Sequence, residues 1–110
     1  MTKVNGSQSC ESEELLLDLL KTDLGFPGMV FPDVGGQVTA LGSAASGLDY
    51  GSSQYWTESI LTAGINNGSF TQARLDDMAV RNVIGYYFVS AGRSPQPAFV
   101  EADADVGRLL

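Results

Sequence analysis

Apolar positions change their spacing from one stretch of this chain to the next, and each spacing predicts a different element. After Ser12-Glu13-Glu14 come Leu15, Leu16, Leu17, Leu19 and Leu20, a crowded set that suits a helix over residues 12–22 with one wide buried face. Acidic residues at its start and Lys21 near its end complement the helix dipole, and Gly25 is the expected terminator. The run Gly28-Met29-Val30-Phe31-Pro32 is too short for a helix and is bounded by glycine and proline. It predicts a buried strand near residues 29–31 that stops at about Pro32, which has no amide hydrogen to pair. Asp33 then stands just past the strand end.

Further along, Gly35-Gly36 leads into a small-residue segment, 37–46, that suits a helix weakened by Gly42, and Leu48-Asp49-Tyr50 reads as the edge of another strand. Helix, strand, helix, strand is the alternation of an α/β architecture. Beyond Tyr50 the pattern is helical. Ile60 and Leu61 mark a helix over 57–63 that Gly64 or the Asn66-Asn67-Gly68 turn should end. A longer helix over 71–90 is announced by Ser69 and Gln72 at capping-box spacing, with Leu75, Met78, Ala79, Val83, Tyr86 and Tyr87 on one face. It should stop at Ala91-Gly92. Ser94-Pro95-Gln96-Pro97 reads as an extended linker, since the residue before each proline avoids the helical region. Val106 to Leu110 opens another apolar segment.

Charge and composition narrow the chemistry. Thirteen acidic against six basic residues give a net charge of −7, which excludes nucleic acid as an expected partner, because phosphate binding relies on Lys and Arg. The chain has no histidine, so it lacks the commonest metal ligand and the usual neutral-pH base, and lone Cys10 cannot build a zinc site or an internal disulfide. No metal and no other cofactor is expected. No apolar run reaches the roughly 18–20 residues needed to cross a bilayer, so no membrane span is expected either. Met1-Thr2-Lys3-Val4-Asn5 lacks the apolar core of a signal peptide, from which the expectation for the chain as it stands is cytoplasmic.

Asp33, taken alone, is a strand-ending turn residue or a helix cap. Asp76 and Asp77 lie in the first turns of a predicted helix beside Arg74 and Arg81, which points to ion pairing. Tyr55 and Trp56, taken alone, suit a packing anchor. Asn5-Gly6-Ser7 and Asn67-Gly68-Ser69 match the acceptor pattern for N-glycosylation at Asn5 and Asn67, and each is equally an ordinary Asn-Gly turn.

Leu24-Gly25-Phe26-Pro27-Gly28-Met29-Val30-Phe31-Pro32-Asp33, then Ala45-Ser46-Gly47-Leu48-Asp49, Tyr55-Trp56, Asn67-Gly68-Ser69-Phe70, Arg74-Leu75-Asp76-Asp77-Met78-Ala79-Val80-Arg81 and Tyr86-Tyr87 follow one another in a characteristic order. Together they resemble the nucleophile region of glycoside hydrolase family 3, in particular its fungal β-glucosidases. The resemblance implies an incomplete (β/α)8 TIM-barrel fragment, α/β in class and helix-rich with few short strands. A complete barrel needs roughly 200 residues or more, and the chain has 110. Residues 1–93 would be the C-terminal portion of the barrel domain, and 94–110 a linker with the start of a following domain.

The resemblance further implies a retaining hydrolase of terminal non-reducing β-D-glucosyl residues, with Asp33 as nucleophile and Val34, Tyr55 and Trp56 near the substrate. A β-glucoside or oligosaccharide would be the partner of the complete enzyme; no protein partner is indicated. The family is generally secreted. Its general acid/base Glu and its earlier sugar-binding residues fall outside this chain, so the isolated chain is expected to be inactive. Two positions depart from the family pattern: Pro32 replaces the usual Ser before the nucleophile, and Val34 the usual Trp after it. The loop at Asp49-Tyr50-Gly51-Ser52-Ser53 also departs from the family's D-M-x-M-P-G. The alternative implied by these departures is a degenerate, non-catalytic remnant that acts as a binding or interaction protein.

Overall fold

A computed structural model of the chain describes residues 3–91. The expected linker, the stop at Gly92 and the apolar segment from Val106 lie outside the described residues. A two-residue hairpin opens the fold. Strand β1 (Lys3–Val4) pairs antiparallel with β2 (Ser7–Gln8), in the register Lys3↔Gln8 and Val4↔Ser7. Its turn is Asn5-Gly6, both with positive φ, which is the backbone that a two-residue hairpin demands. A 3-10 turn (Ser9–Glu11) leads to a π-helix (Glu14–Asp23).

The remaining elements are α1 (Leu41–Ala45), α2 (Glu58–Asn67), α3 (Gln72–Tyr86) and a π-helical turn (Tyr87–Ala91) that prolongs α3. Among the described residues the fold is thus helix-rich with two short strands and an unclosed sheet, as expected of an incomplete barrel. Its core is small. Ala44, Phe70 and Met78 are buried, with Leu41, Trp56, Leu61, Ile65 and Leu75 packed around them.

Several local expectations are corrected. The first helix begins at Glu14 and is wound with i→i+5 hydrogen bonds, such as Leu24 N–H to Leu19 O at 2.9 Å. That winding alters which residues share a face: Lys21 is buried while Leu19 is 46% exposed. Gly25 still ends it, at φ +65°. Residues 29–31 belong to no strand, and neither does Leu48-Asp49-Tyr50. A ladder needs repeated pairing, and here only Val30 is bonded, its carbonyl accepting from the Asp49 and Tyr50 amides at 2.8 and 3.2 Å. The helix expected over 37–46 is shortened to α1, because the Gln37 side chain is drawn into hydrogen bonds across the fold.

Glycine 64 does not end α2 but lies inside it, buried. A Cβ there would come within 2.8 Å of a Leu41 methyl and 3.2 Å of Phe70 Cβ, so its role is close helix packing. Termination falls instead to Gly68, at φ +79°. The cap of α3 is Thr71 rather than Ser69: Thr71 Oγ1 accepts from Arg74 N–H at 3.1 Å, and Gln72 binds Asp76 at 2.8 Å. On α3 the expected apolar face is only half used. Met78 is buried, but Val83, Tyr86 and Tyr87 are 53%, 49% and 64% exposed, since the segment 26–29 that lies against the second half of the helix leaves an open apolar groove rather than a closed layer.

Candidate active site

Residues 29–31, which belong to no regular element, lead to a tight turn at Asp33. The Asp33 carbonyl accepts from Gly36 N–H at 2.8 Å, and Gly35, third in the turn, has φ +72°, a conformation that glycine adopts without strain. Asp33 Oδ1 accepts from Val34 N–H at 2.7 Å. The carboxylate is exposed and faces an open depression of about 580 Å³. One wall runs from Phe31 to Gly35 and includes Gln37; the other runs from Tyr50 to Tyr55. Asp33 is the one carboxylate in that lining.

Two ties hold the walls together. At the base, Val30 N–H donates to Asp49 Oδ2 at 2.8 Å while the Val30 carbonyl accepts from the Asp49 amide. Higher up, Gln37 Oε1 accepts from Ser52 N–H at 2.7 Å.

Asp49 is the electrostatic centre of the structure. Its side chain is wholly buried, and Oδ1 receives Lys21 Nζ at 2.6 Å and Arg74 Nη2 at 2.8 Å. Lys21 also donates to the Gly47 carbonyl at 2.6 Å, and Arg74 to the carbonyls of Ala44 and Leu48 at 3.0 and 2.9 Å. Asn82 Nδ2 donates to the Asp49 carbonyl at 2.9 Å. Burial pushes the Lys21 ammonium below its usual range; its hydrogen bond to Asp49 works in the opposite direction, and repulsion from Arg74 adds to the lowering. Arg74 and Arg81 pair with Asp77 at 2.7 and 2.9 Å, the ion pairing that the sequence spacing suggested. Arg81 also donates to the carbonyls of Phe26 and Gly28 at 2.6 and 3.1 Å, which fastens the segment before Val30 onto α3.

The other sequence candidates separate in space. Tyr55 lines the same depression as Asp33. Val34 also borders it and is fully exposed. Trp56 is outside that lining: it packs against the core, and its indole N–H donates to the Ala40 carbonyl at 2.8 Å. Asn5 sits in the hairpin turn, and Asn67 ends α2, with Oδ1 accepting from Ser69 N–H at 2.9 Å; both are exposed. Cys10 is a partly buried free thiol.

Sequence reading missed Asp49 and Gln37. Asp49 entered only as part of a motif, and Gln37 as one polar position in a small-residue run. Their partners lie 15–28 residues away, at Ser52, Arg74 and Lys21, and no local spacing encodes such distances. Lys21, a cation beside five leucines, was the available signal. Among the described residues no group of three or more His, Cys, Asp or Glu is placed to hold a metal ion, and no helix is long and apolar enough to cross a membrane.

Among the described residues the unclosed, helix-dominated fold is that of an incomplete barrel fragment. The chain is homologous to part of the fungal β-glucosidases of glycoside hydrolase family 3. It is 56% identical over 103 residues to probable β-glucosidase D of Emericella nidulans, covering 94% of this chain and 13% of that protein. It is 52% identical over 116 residues to probable β-glucosidase D of Aspergillus flavus, covering 100% of this chain and 15% of that protein. The chain therefore spans only about a seventh of the length of these relatives.

Solved structures agree. A β-glucosidase of Chaetomella raphigera superposes with a TM-score of 0.73 at 37% identity, over 84% of this chain and 14% of that one. The β-D-glucoside glucohydrolase of Trichoderma reesei gives 0.76 at 32% identity, over 89% of this chain and 15% of that one. No family model matches the chain.

Proposed function

We propose that this chain is the nucleophile-bearing segment of a secreted β-glucosidase that removes terminal non-reducing β-D-glucosyl residues with retention of configuration, Asp33 attacking the anomeric carbon. The observation that carries this reading is the exposed Asp33 carboxylate, which faces a depression that Tyr55 also lines. Residues 1–93 are then the end of the barrel domain and 94–110 the passage to the next domain. Tyr55 and Val34 border the sugar. Trp56 supports the loop that presents Tyr55, and Asn5 and Asn67 are the glycan acceptors.

Retaining hydrolysis needs a second carboxyl group about 5–5.5 Å from the nucleophile to protonate the leaving oxygen. None lines the depression, and Asp49 is committed to Lys21 and Arg74. The isolated chain is accordingly expected to be inactive, with the acid/base supplied by the remainder of a full-length enzyme. The test replaces the homologous segment of the Emericella nidulans protein with residues 1–93 of this chain. Hydrolysis of an aryl β-glucoside should release the β-anomer first, as read by NMR, and Asp33→Ala should abolish it. Undiminished turnover in the Asp33→Ala chimera would overturn the assignment.

A second reading, a non-catalytic remnant, is favoured by one feature of the same wall. Pro32 removes a backbone donor next to Asp33, and the fully exposed Val34 offers no aromatic face to a sugar. A folded chimera that hydrolyses nothing until Pro32→Ser and Val34→Trp are introduced would support it.

A further inference from the structure

Gln37 is 5% exposed, and its whole amide is committed. Oε1 accepts from Ser52 N–H at 2.7 Å; Nε2 donates to the Thr39 carbonyl and to Ser43 Oγ, both at 3.2 Å. The amide hydrogen of Ser52 requires an acceptor, which fixes the carboxamide's orientation. Its anchor on α1 is firm, since Ser43 is completely buried and its hydroxyl donates to the Thr39 carbonyl at 2.6 Å. Gln37 lies four residues beyond Asp33 on one wall of the depression, while Ser52 lies three residues before Tyr55 on the other.

The opposing loop is shaped to receive it. A Cβ on Gly51 would fall 2.5 Å from Gln37 Oε1, so the hydrogen bond to Ser52 exists only because residue 51 has no side chain.

We propose that Gln37 is a positioning residue for the candidate site: its side chain bolts the wall carrying Asp33 to the wall carrying Tyr55 and so sets the width of the depression. This rests on the reading of Asp33 as nucleophile. Gln37 touches neither sugar nor the reacting carboxylate; it acts through the Ser52 amide. Loss of this tie lets the walls separate, and a misplacement of about 1 Å costs on the order of a hundredfold in rate.

The first measurement uses the whole 110-residue chain and needs no catalysis. Amide hydrogen exchange of Ser52 should accelerate about tenfold in both Gln37→Ala and Gly51→Ala, as expected for loss of one hydrogen bond, with α3 amides unchanged. The second uses the chimera described above. Both variants should lower kcat by about 10–100-fold while KM stays within about threefold, and Gly51→Ala should add little on a Gln37→Ala background, because both act through one contact. Should Gln37→Ala fail to fold, Gly51→Ala carries the same two expectations. Wild-type Ser52 exchange in the variants overturns the proposal. So do additive losses in the double variant, or an unchanged kcat in a chimera that Asp33→Ala inactivates. Turnover that survives Asp33→Ala overturns the nucleophile reading instead, and Ser52 exchange then decides the Gln37 tie alone.

Discussion

Removing the Asp49 carboxylate should cost the chain most of its stability. In the native structure it meets Lys21 Nζ at 2.6 Å, Arg74 Nη2 at 2.8 Å and Val30 N–H at 2.8 Å, inside a site where the side chains of Lys21 and Arg74 are 2% and 10% exposed. Asp49→Ala leaves two cations facing one another without their shared counter-charge, and solvent is too far excluded to replace it. Breaking a buried pair from one side costs about 3–5 kcal/mol. Total stability of a domain of this size lies at about 5–15 kcal/mol, and a core of five buried apolar residues among the described residues puts this one toward the bottom of that range. Most of the margin therefore disappears.

Urea unfolding followed by far-UV circular dichroism at pH 7 is the assay, with Asp49→Asn as the informative partner. The amide keeps an acceptor for Val30 N–H and loses the charge, so its expected loss is smaller, about 1.5–3 kcal/mol. Replacing Lys21 and Asp49 together by Met and Leu should recover part of the Asp49→Ala loss, since no uncompensated Lys21 charge remains. A loss below about 1 kcal/mol for Asp49→Ala would refute the claim that this carboxylate holds the π-helix, the Val30 segment and α3 together.

Two further perturbations read other parts of the fold. Lys21 has a folded-state pKa below its ordinary value of 10.5, so between the two values the unfolded chain binds more protons than the folded one and stability rises with pH. The stability of the wild type relative to Lys21→Met should therefore improve as pH climbs from neutrality toward 10.5, as measured by urea midpoints; a difference that shrinks with pH would contradict the burial-dominated shift. Thr71→Ala removes the acceptor for Arg74 N–H and should cost about 1 kcal/mol, whereas Ser69→Ala should leave the α3 cap intact; equal losses at the two positions would relocate the cap.

The helices were legible because their signals are local. Gly25 and Gly68 at helix ends, and Met78 with Leu75 on one face, act over three or four residues, the range over which backbone bonds and side-chain packing repeat. Asp33 was legible for a different reason: an ordered series of motifs surrounds it. The strand expected before it is not realised. A strand is a relation between two segments, and whether Val30 finds a ladder or a single side chain depends on chain brought to it from elsewhere.

The same distinction separates the surface from the interior. Local pattern could place Asp76, Asp77, Arg74 and Arg81 in one ion-pairing helix, because they are neighbours by three and four residues. It could not place Lys21 and Arg74 on one oxygen of Asp49, or bring the Gln37 amide to Ser52 across an absent Cβ at Gly51. Those contacts arise when the π-helix, α1 and α3 close around Gly47 to Asp49. Burial then converts ordinary polar residues into obligatory partners, since a charge or amide withdrawn from water must find its complement within hydrogen-bond reach.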